Sequence, residues 1–245
     1  MRDSVEAFGG WQNFVQEGDR VLLKPNFNTS DTYPGSTDKF FLKKVIEQVL
    51  ELNPKKIMIG ASSTLMANTE VVLDSLGIYD LERIDERVEV FNFEKKEWSK
   101  KDIPKAEYLK QASLPKILEE VDRLIFLPCL KTHFLAQYTG ALKLSVGLMR
   151  PRERLSLHAR NLQEKIAELN LVLKPDLIIM DARTCFISNG PMTGPREFPG
   201  LIMTSRDRVA LDIEGIKMIQ EYENNSLSGI KPQDIMQIKR ALEIL

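Results

Sequence analysis

The feature that most constrains the fold is a repeated alternation of short, β-rich apolar runs with longer segments of helical spacing. In residues 40–52, for example, Phe41, Val45, Val49 and Leu52 recur on one side of a predicted helix. Strands joined by helices form right-handed crossovers, which place the strands in parallel. We therefore predict an α/β fold, with a mainly parallel sheet sandwiched by helices in a Rossmann-like three-layer arrangement.

The same alternation gives the expected positions of the elements. The predicted strands are residues 20–24, 56–60, 88–93, 123–128, 177–181 and 200–204. The predicted helices are residues 40–52, 68–76, 114–121, 162–173, 208–221 and 232–245. Residues 102–111 are polar and charged, and are predicted to be a surface excursion. Because no low-complexity linker or internal repeat divides the chain, residues 1–245 are predicted to form one domain.

Charge, cysteine content and hydropathy limit the class of protein. The formal net charge is −1, which argues against a cation-coated surface that binds duplex nucleic acid. Cys129 and Cys185 stand far apart, a usage typical of a reducing compartment. The most apolar stretch, residues 124–130, is far shorter than a membrane span and is interrupted by Pro128. We therefore predict a soluble cytoplasmic protein that binds neither a membrane nor duplex nucleic acid.

Cations concentrate in one segment, residues 128–160. This segment contains six lysines and arginines, a single acid, Glu153, and both histidines of the chain, His133 and His158. Fixed positive charge near strand ends and a helix start favours an anion such as a phosphate or carboxylate. A solvated basic helix face is the alternative interpretation.

The predicted strand ends select the candidate side chains, because ligands of open parallel sheets bind beyond the C-terminal ends of the strands. The candidates there are Lys24, Asn26, Ser62, Lys131, His133 and Asn189. Lys131 and Lys143 lie among apolar residues, where an unpaired ammonium is costly, so they are the better candidates for anion ligands. In contrast, Arg150, Arg152 and Arg154 are predicted to be surface or lid residues.

Metal binding and proton transfer have weaker support from sequence motifs. His133 and His158 are candidate metal ligands together with Cys129, but their spacing matches no zinc signature. His133 is also the candidate proton donor and acceptor. The phosphate loop, the dinucleotide fingerprint and the hydrolase nucleophile elbow do not occur in the sequence. The sequence therefore assigns no metal ligands and does not identify a cofactor, and it leaves open whether His133 or His158 binds a metal and whether the protein is an enzyme.

Six pieces of the sequence, in order and across nearly the whole chain, form a recognisable pattern. They are residues 18–26 (GDRVLLKPN), 128–133 (PCLKTH), 139–143 (TGALK), 174–177 (KPDL) with Asp181, 189–191 (NGP) and 207–212 (DRVALD). This pattern resembles the family known as domain of unknown function 362, also labelled iron–sulfur-centre-like. The resemblance implies shared polar positions at Lys24, Asn26, Lys131, His133, Lys143 and Asn189. The chain lacks the ferredoxin-like cysteine motifs of some relatives, and Leu144 replaces an asparagine usual in the family.

Three functions are compatible with these observations. In the first, the protein binds or acts on a small anionic ligand that bears a phosphate or carboxylate. The residue roles are then anion binding by Lys24, Lys131 and Lys143, orientation by Asn26 and Asn189, and proton transfer by His133. The second is a metal-handling or redox accessory protein without its own iron–sulfur cluster. The third is a non-catalytic interaction module that binds a partner or single-stranded nucleic acid through residues 150–160.

Overall fold

A computed structural model, which describes residues 2–245, contains a central sheet and a separate two-stranded ribbon. The strands are β1 (Arg20–Pro25), β2 (Lys56–Ala61), β3 (Val88–Asn92), β4 (Trp98–Asp102), β5 (Gln111–Pro115), β6 (Arg123–Leu127), β7 (Cys129–His133), β8 (Gln137–Thr139), β9 (Leu177–Phe186), β10 (Arg196–Glu197) and β11 (Leu201–Ser205). The sheet has the order β3-β2-β1-β6-β9-β7-β8, and β10 and β11 also pair with β9. The pairs among β1, β2, β3, β6, β7 and β9 are parallel, whereas β8, β10 and β11 join antiparallel. The predicted, mainly parallel sheet is confirmed.

Helices cover both faces of this sheet. They are α1 (Arg2–Glu6), α2 (Lys39–Leu50), α3 (Thr69–Ser75), α4 (Ala141–Leu144), α5 (Arg154–Ala159), α6 (Leu162–Leu169), α7 (Arg208–Gln220) and α8 (Met236–Ile244). Asp38, Asn68 and Asp207 are the N-cap residues of α2, α3 and α7, and each side chain accepts at least one hydrogen bond from a backbone N–H of the first turn. Within residues 2–245, no helix is long and apolar enough to cross a membrane.

Successive side chains of the central strands point into two separate cores, as the pleat of a strand requires. Val21 and Leu23 pack in the core that contains Phe41 of α2 and Leu73 of α3. Leu22 belongs to the opposite core, which is closed by residues of α4, α6, α7 and α8. These two cores separate three layers, so the sandwiched α/β arrangement is also confirmed.

Pro128 interrupts the strand that leads towards the cation-rich segment. It separates β6 from β7, and both of these strands pair in parallel with β9. Proline has no N–H to donate to the ladder, so a break falls naturally at this position. Pro25 at the end of β1 lies opposite Leu127, and β7 therefore carries the chain beyond the end of β1. Residues 131–133, predicted to follow a strand as a polar tail, are buried within β7.

The prediction for residues 102–121 is wrong in two respects. The predicted helix 114–121 is replaced by the end of β5 and a 3-10 turn, Lys116–Glu119, because β5 pairs antiparallel with β4. Pro115 ends this pairing, and a short apolar window fits either element without tertiary information. The predicted surface excursion also contributes to the core, since Ile103, Ala106 and Leu109 are buried there.

Candidate functional site

A cleft opens at the C-terminal ends of the parallel strands. Its cavity volume is about 60 Å³, and its mouth is open to solvent. Its walls come from the end of β1, the residue after β2, β7, the segment 139–147, the start of α5 and the loop after β9. Strand ends that are far apart in the sequence therefore meet here, as expected for an open parallel sheet.

Four cations line this cleft: Lys24, Lys131, Lys143 and Arg154. Lys24 and Lys131 are each only 2% exposed, and Arg154 is 7% exposed. No aspartate or glutamate of the described chain, residues 2–245, is among the lining residues. The cleft therefore holds a concentration of positive charge that its own walls do not neutralise.

Lys24 and Lys131 are held by backbone carbonyl groups. The Nζ of Lys24 donates to the oxygen of Pro25, and the Nζ of Lys131 donates to the oxygens of Pro34 at 3.1 Å and Gly35. These bonds fix both ammonium groups at the cleft wall and tie the loop that follows β1 to β7. A Cβ atom at position 147 would lie 2.9 Å from the Nζ of Lys24, so Gly147 leaves room for this ammonium.

Tyr33 anchors the same loop on its other side. Its hydroxyl donates to a carboxylate oxygen of Asp181 at 2.7 Å and accepts from the backbone N–H of Thr184 at 2.8 Å. Arg183 in turn binds Asp181 and Asp38 at the start of α2. The loop that carries Asn26 is therefore fastened to both β7 and β9, which makes that wall of the cleft rigid.

The guanidinium of Arg154 occupies the centre of a hydrogen-bond network. It donates to the carbonyl oxygens of Ser62, Ser63, Gly147 and Met149 and to the hydroxyl of Ser62. This side chain joins the loop after β2 to the segment after α4. The prediction that Arg154 is a surface or lid residue is wrong, because its position on α5 faces the protein interior.

Lys143 differs from the other three cations. It lies in the four-residue helix α4 and is half-buried at the cleft wall. Within residues 2–245, its ammonium has no hydrogen-bond acceptor and no ion-pair partner, and only burial and the charges of Lys131 and Arg154 act on it. The ammonium of Lys143 can therefore donate its hydrogen bonds to a ligand in the cleft.

The electrostatic environment lowers the pKa of all four groups. Burial, followed by the charge of Arg154, lowers the pKa of Lys24 to about 7. Burial, with Lys131 and Arg154, lowers the pKa of Lys143 to about 7. Burial lowers the pKa of Lys131 to about 8, although Cys129 and Asp31 oppose the shift, and burial lowers that of Arg154 to about 10. An anion in the cleft would oppose each of these shifts.

Asp212 positions the short helix that carries Lys143. Its buried carboxylate accepts hydrogen bonds from the backbone N–H groups of Ala141 at 2.7 Å and Leu142 at 2.9 Å, and from the hydroxyl of Tyr138 at 3.4 Å. Burial raises the pKa of Asp212 to about 7, although these bonds favour the charged form. A Cβ atom at Gly140 would lie 2.2 Å from the carboxylate, so only glycine permits this approach.

We expect Asp212→Leu to lower the free energy of unfolding by about 2–5 kcal/mol, because two buried N–H groups lose their acceptor. The measurement is urea denaturation of wild type and variant. Asp207→Ala is the matched control, since it removes a helix cap on the same element at a cost of about 1 kcal/mol. A loss for Asp212→Leu no larger than that of the control would contradict the positioning role.

The other residues predicted for the site occupy different positions. Asn26 lines the cleft, but Asn189 is exposed and lies outside its lining, although the neighbouring Pro191 belongs to it. His133 also lies outside the lining, and its Nδ1 accepts from the backbone N–H groups of Leu135 and Ala136. Burial, followed by Lys143, His158 and Lys131, lowers the pKa of His133 to about 2. Since only Nδ1 has hydrogen-bond partners within residues 2–245, proton transfer by His133 stays a prediction.

The side chains that could bind a metal do not form a cluster in the described part of the chain. Across residues 2–245, no group of three or more histidine, cysteine, aspartate or glutamate side chains converges as a metal site would require. His158 is exposed and its Nδ1 lies 2.7 Å from the carbonyl oxygen of Arg154. Cys129 lines the cleft, but burial raises the pKa of its thiol to about 11.

Sequence reasoning missed Arg154, although the sequence contains a usable signal. Pro151, Arg154 and Leu157 follow one another at intervals of three, and all three are buried. That spacing places Arg154 on the same side of the helical segment as Leu157. Leu144, the position at which the resemblance implied an asparagine, also lines the cleft, so an apolar side chain takes the place of an amide at this wall.

A comparison with known protein families agrees with the resemblance found in the sequence. A family model described as "Domain of unknown function (DUF362)" matches residues 21–217, which is more than half of the chain. The chain belongs to the DUF362 family. The matched region includes Lys24, Lys131, Lys143 and Arg154, so the cation-lined cleft lies entirely within the DUF362 region.

Two similar proteins extend this comparison. The chain is 31% identical over 223 residues to the thylakoid-associated protein sll1697 of Synechocystis sp., over 86% of this chain and 66% of that protein. The lactate racemase apoprotein from Thermoanaerobacterium thermosaccharolyticum superposes with a TM-score of 0.50 and 12% identity, over 90% of this chain and 55% of that one. The chain therefore spans less than two thirds of the length of either protein. The structural likeness shows a shared α/β fold.

Proposed function

We propose that this DUF362 protein binds a small anionic ligand, bearing phosphate or carboxylate groups, in the cleft at the strand ends. The observation that carries the proposal is the group of four cations in a lining without a carboxylate. Desolvated cations without counter-charges destabilise a folded protein, and an anion in the cleft supplies the missing charge. Charge-assisted hydrogen bonds to phosphate or carboxylate are also the strongest that lysine and arginine form.

The four cations have different roles in this proposal. Lys24, Lys131 and Arg154 are already fixed by backbone oxygens, so they supply a rigid positive field. Lys143 is free to donate directly to the anion, and Asn26 offers an amide at the same wall. Preorganised charges of this kind bind with little reorganisation on ligand entry.

Other features of the function remain predictions. The name of the lactate racemase neighbour refers to a small carboxylate, which is compatible with the proposed ligand class, but a shared fold does not transfer an activity. A cytoplasmic location also stays a prediction, and the Synechocystis relative is named as thylakoid-associated. The organisation as one domain and the absence of binding to duplex nucleic acid are likewise predictions for experiment.

A thermal-shift screen tests the proposal and identifies the ligand class. The panel contains inorganic phosphate, nucleotides, coenzyme A, small mono-, di- and tricarboxylates, and divalent metals. An anion at one hundred times its Kd should stabilise the wild type by about 2.7 kcal/mol. Lys143→Met should lose this stabilisation, because it removes the unpartnered ammonium but keeps much of the side-chain volume.

Arg152→Gln is the matched control, since Arg152 lies in the same cation-rich segment but is exposed and outside the cleft. The control should respond to the anion as the wild type does. Stabilisation by metals alone, or an anion effect that Lys143→Met leaves unchanged, would contradict the proposed function.

A further inference from the structure

Lys143 has the position of a reactive amine rather than that of a structural cation. Lys24 and Lys131 each donate to backbone carbonyl groups, and Arg154 donates to several acceptors. The Nζ of Lys143 has no such bond within residues 2–245, and it lies at the wall of an open cleft. Its lone pair, when the amine is neutral, is therefore not restrained by a protein contact.

The surroundings of Lys143 favour the neutral amine. Lys131 and Arg154 are close enough for their charges to oppose protonation of Lys143, and burial acts in the same direction. Lysines that are desolvated or adjacent to other cations are activated in this manner as nucleophiles towards carbonyl compounds. The apolar side chains of Leu144 and Val146 line the same cleft and limit the water around the amine.

We propose that Lys143 forms a Schiff base with an aldehyde or ketone that carries a phosphate or carboxylate group. This inference rests on the proposed function, because the anionic group is what the remaining cations of the cleft would hold. The positive charges of Arg154 and Lys131 attract the anionic end, and Lys143 meets the carbonyl carbon. A 2-oxo acid and a phosphorylated aldehyde are the simplest members of this substrate class.

The reaction needs no oxidant, reductant or further reactant. The Nζ lone pair of neutral Lys143 attacks the carbonyl carbon, a C–N bond forms, and the C=O π electrons move to oxygen. The oxygen then leaves as water with the two hydrogens that were on the amine nitrogen, and a C=N bond remains. A fixed anionic group holds the carbonyl near the nitrogen, which favours this addition through proximity.

The test uses pyridoxal 5′-phosphate as the probe, because it combines an aldehyde with a phosphate and its imine has a distinct absorbance. Pyridoxine 5′-phosphate, which has an alcohol in place of the aldehyde, is the matched control ligand. Pyruvate tests a small 2-oxo acid in the same way. After treatment with borohydride, peptide mass spectrometry identifies the lysine that carries the probe.

We expect saturable labelling of Lys143 in the wild type by pyridoxal 5′-phosphate and by pyruvate. The control ligand should compete with the aldehyde but leave no label. Lys143→Arg should lose the labelling, because arginine forms no imine under these conditions. Lys217→Arg changes an exposed lysine outside the cleft and should leave the labelling of Lys143 unchanged.

The outcomes separate the two proposals. Stabilisation by the control ligand with no label on Lys143 would overturn the Schiff base and leave the anion site intact. Labelling spread over surface lysines, without preference for Lys143, would also overturn it. If no phosphate or carboxylate in the panel binds the wild type, both the anion site and the Schiff base fail.

Discussion

Replacing Arg154 with methionine is expected to lower the free energy of unfolding by about 3–5 kcal/mol, the largest effect of any arginine in the cation-rich segment. The guanidinium is buried, and the carbonyl oxygens of Ser62, Ser63, Gly147 and Met149 would lose their donor. Methionine has a similar length, so the loss reports the hydrogen bonds more than the volume. The measurement is the midpoint and slope of urea denaturation.

Arg152→Met is the control for this prediction, because Arg152 is exposed two residues away. A surface substitution of this kind changes stability by about 0.5 kcal/mol or less. Equal effects of the two substitutions would mean that Arg154 does not join the loop after β2 to the segment after α4. Removing Arg154 also removes its repulsion of Lys24 and Lys143, which stabilises the folded state and offsets part of the loss. We therefore expect Arg154→Met to fold well enough for its free energy of unfolding to be measured.

The second large effect is a dependence of anion affinity on pH. The pKa values of Lys24 and Lys143 are lowered to about 7 in the empty cleft, and that of Lys131 to about 8. An anion binds the charged amines and raises these pKa values, so binding takes up protons above pH 7. Uptake of one proton weakens the affinity by about tenfold for each pH unit above the pKa of the empty site.

The stability of the protein without an anion should show the opposite dependence on pH. A lysine whose folded-state pKa lies below its unfolded value of 10.5 destabilises the folded state while it is charged. Between about pH 7 and 10, the unfolded chain binds more of these protons, so the contribution of Lys24 and Lys143 to stability rises with pH. The melting temperature of the empty protein should therefore rise from about pH 7 to 9, below the range in which the raised pKa values of Cys129 and Cys185 oppose this trend, as the shift caused by the anion becomes smaller.

Calorimetry in two buffers with different enthalpies of ionisation measures the proton uptake directly, after correction for the known protonation of the ligand itself. The Arg152→Gln variant should take up the same number of protons as the wild type. Anion affinity that is constant from pH 6 to 9, with no proton uptake, would show that the lysines stay charged in the empty cleft.

The sequence predicted the layers of the fold because the local pattern and the tertiary structure agree there. Parallel strands such as β1 and β9 are buried on both faces, so they stand out as continuous apolar runs. The pattern of residues 40–52 has one apolar side, and the helix α2 is found there. Lys24 and Lys131 were also predictable, since polar residues next to buried strands lie at the ligand-binding edge of such a sheet.

The remaining features depend on contacts that a linear pattern does not contain. Leu114 and Pro115 pair in a ribbon because β4 is available as a partner, which the sequence near Pro115 does not indicate. Arg154 belongs to the cleft because carbonyl groups from two distant loops meet it. His133 was a reasonable candidate from its position, but backbone donors that occupy its Nδ1 are visible only in three dimensions.

The most direct test of the central claim is a calorimetric titration of wild type and Lys143→Met with inorganic phosphate and with citrate at about pH 6, where the lysines are charged. We predict one saturable site per chain for at least one of these anions, and affinity weaker by at least about tenfold in Lys143→Met, which corresponds to about 1.4 kcal/mol. Arg152→Gln should bind as the wild type does. The absence of saturable binding, or equal affinities of wild type and Lys143→Met, would contradict an anion site in this cleft.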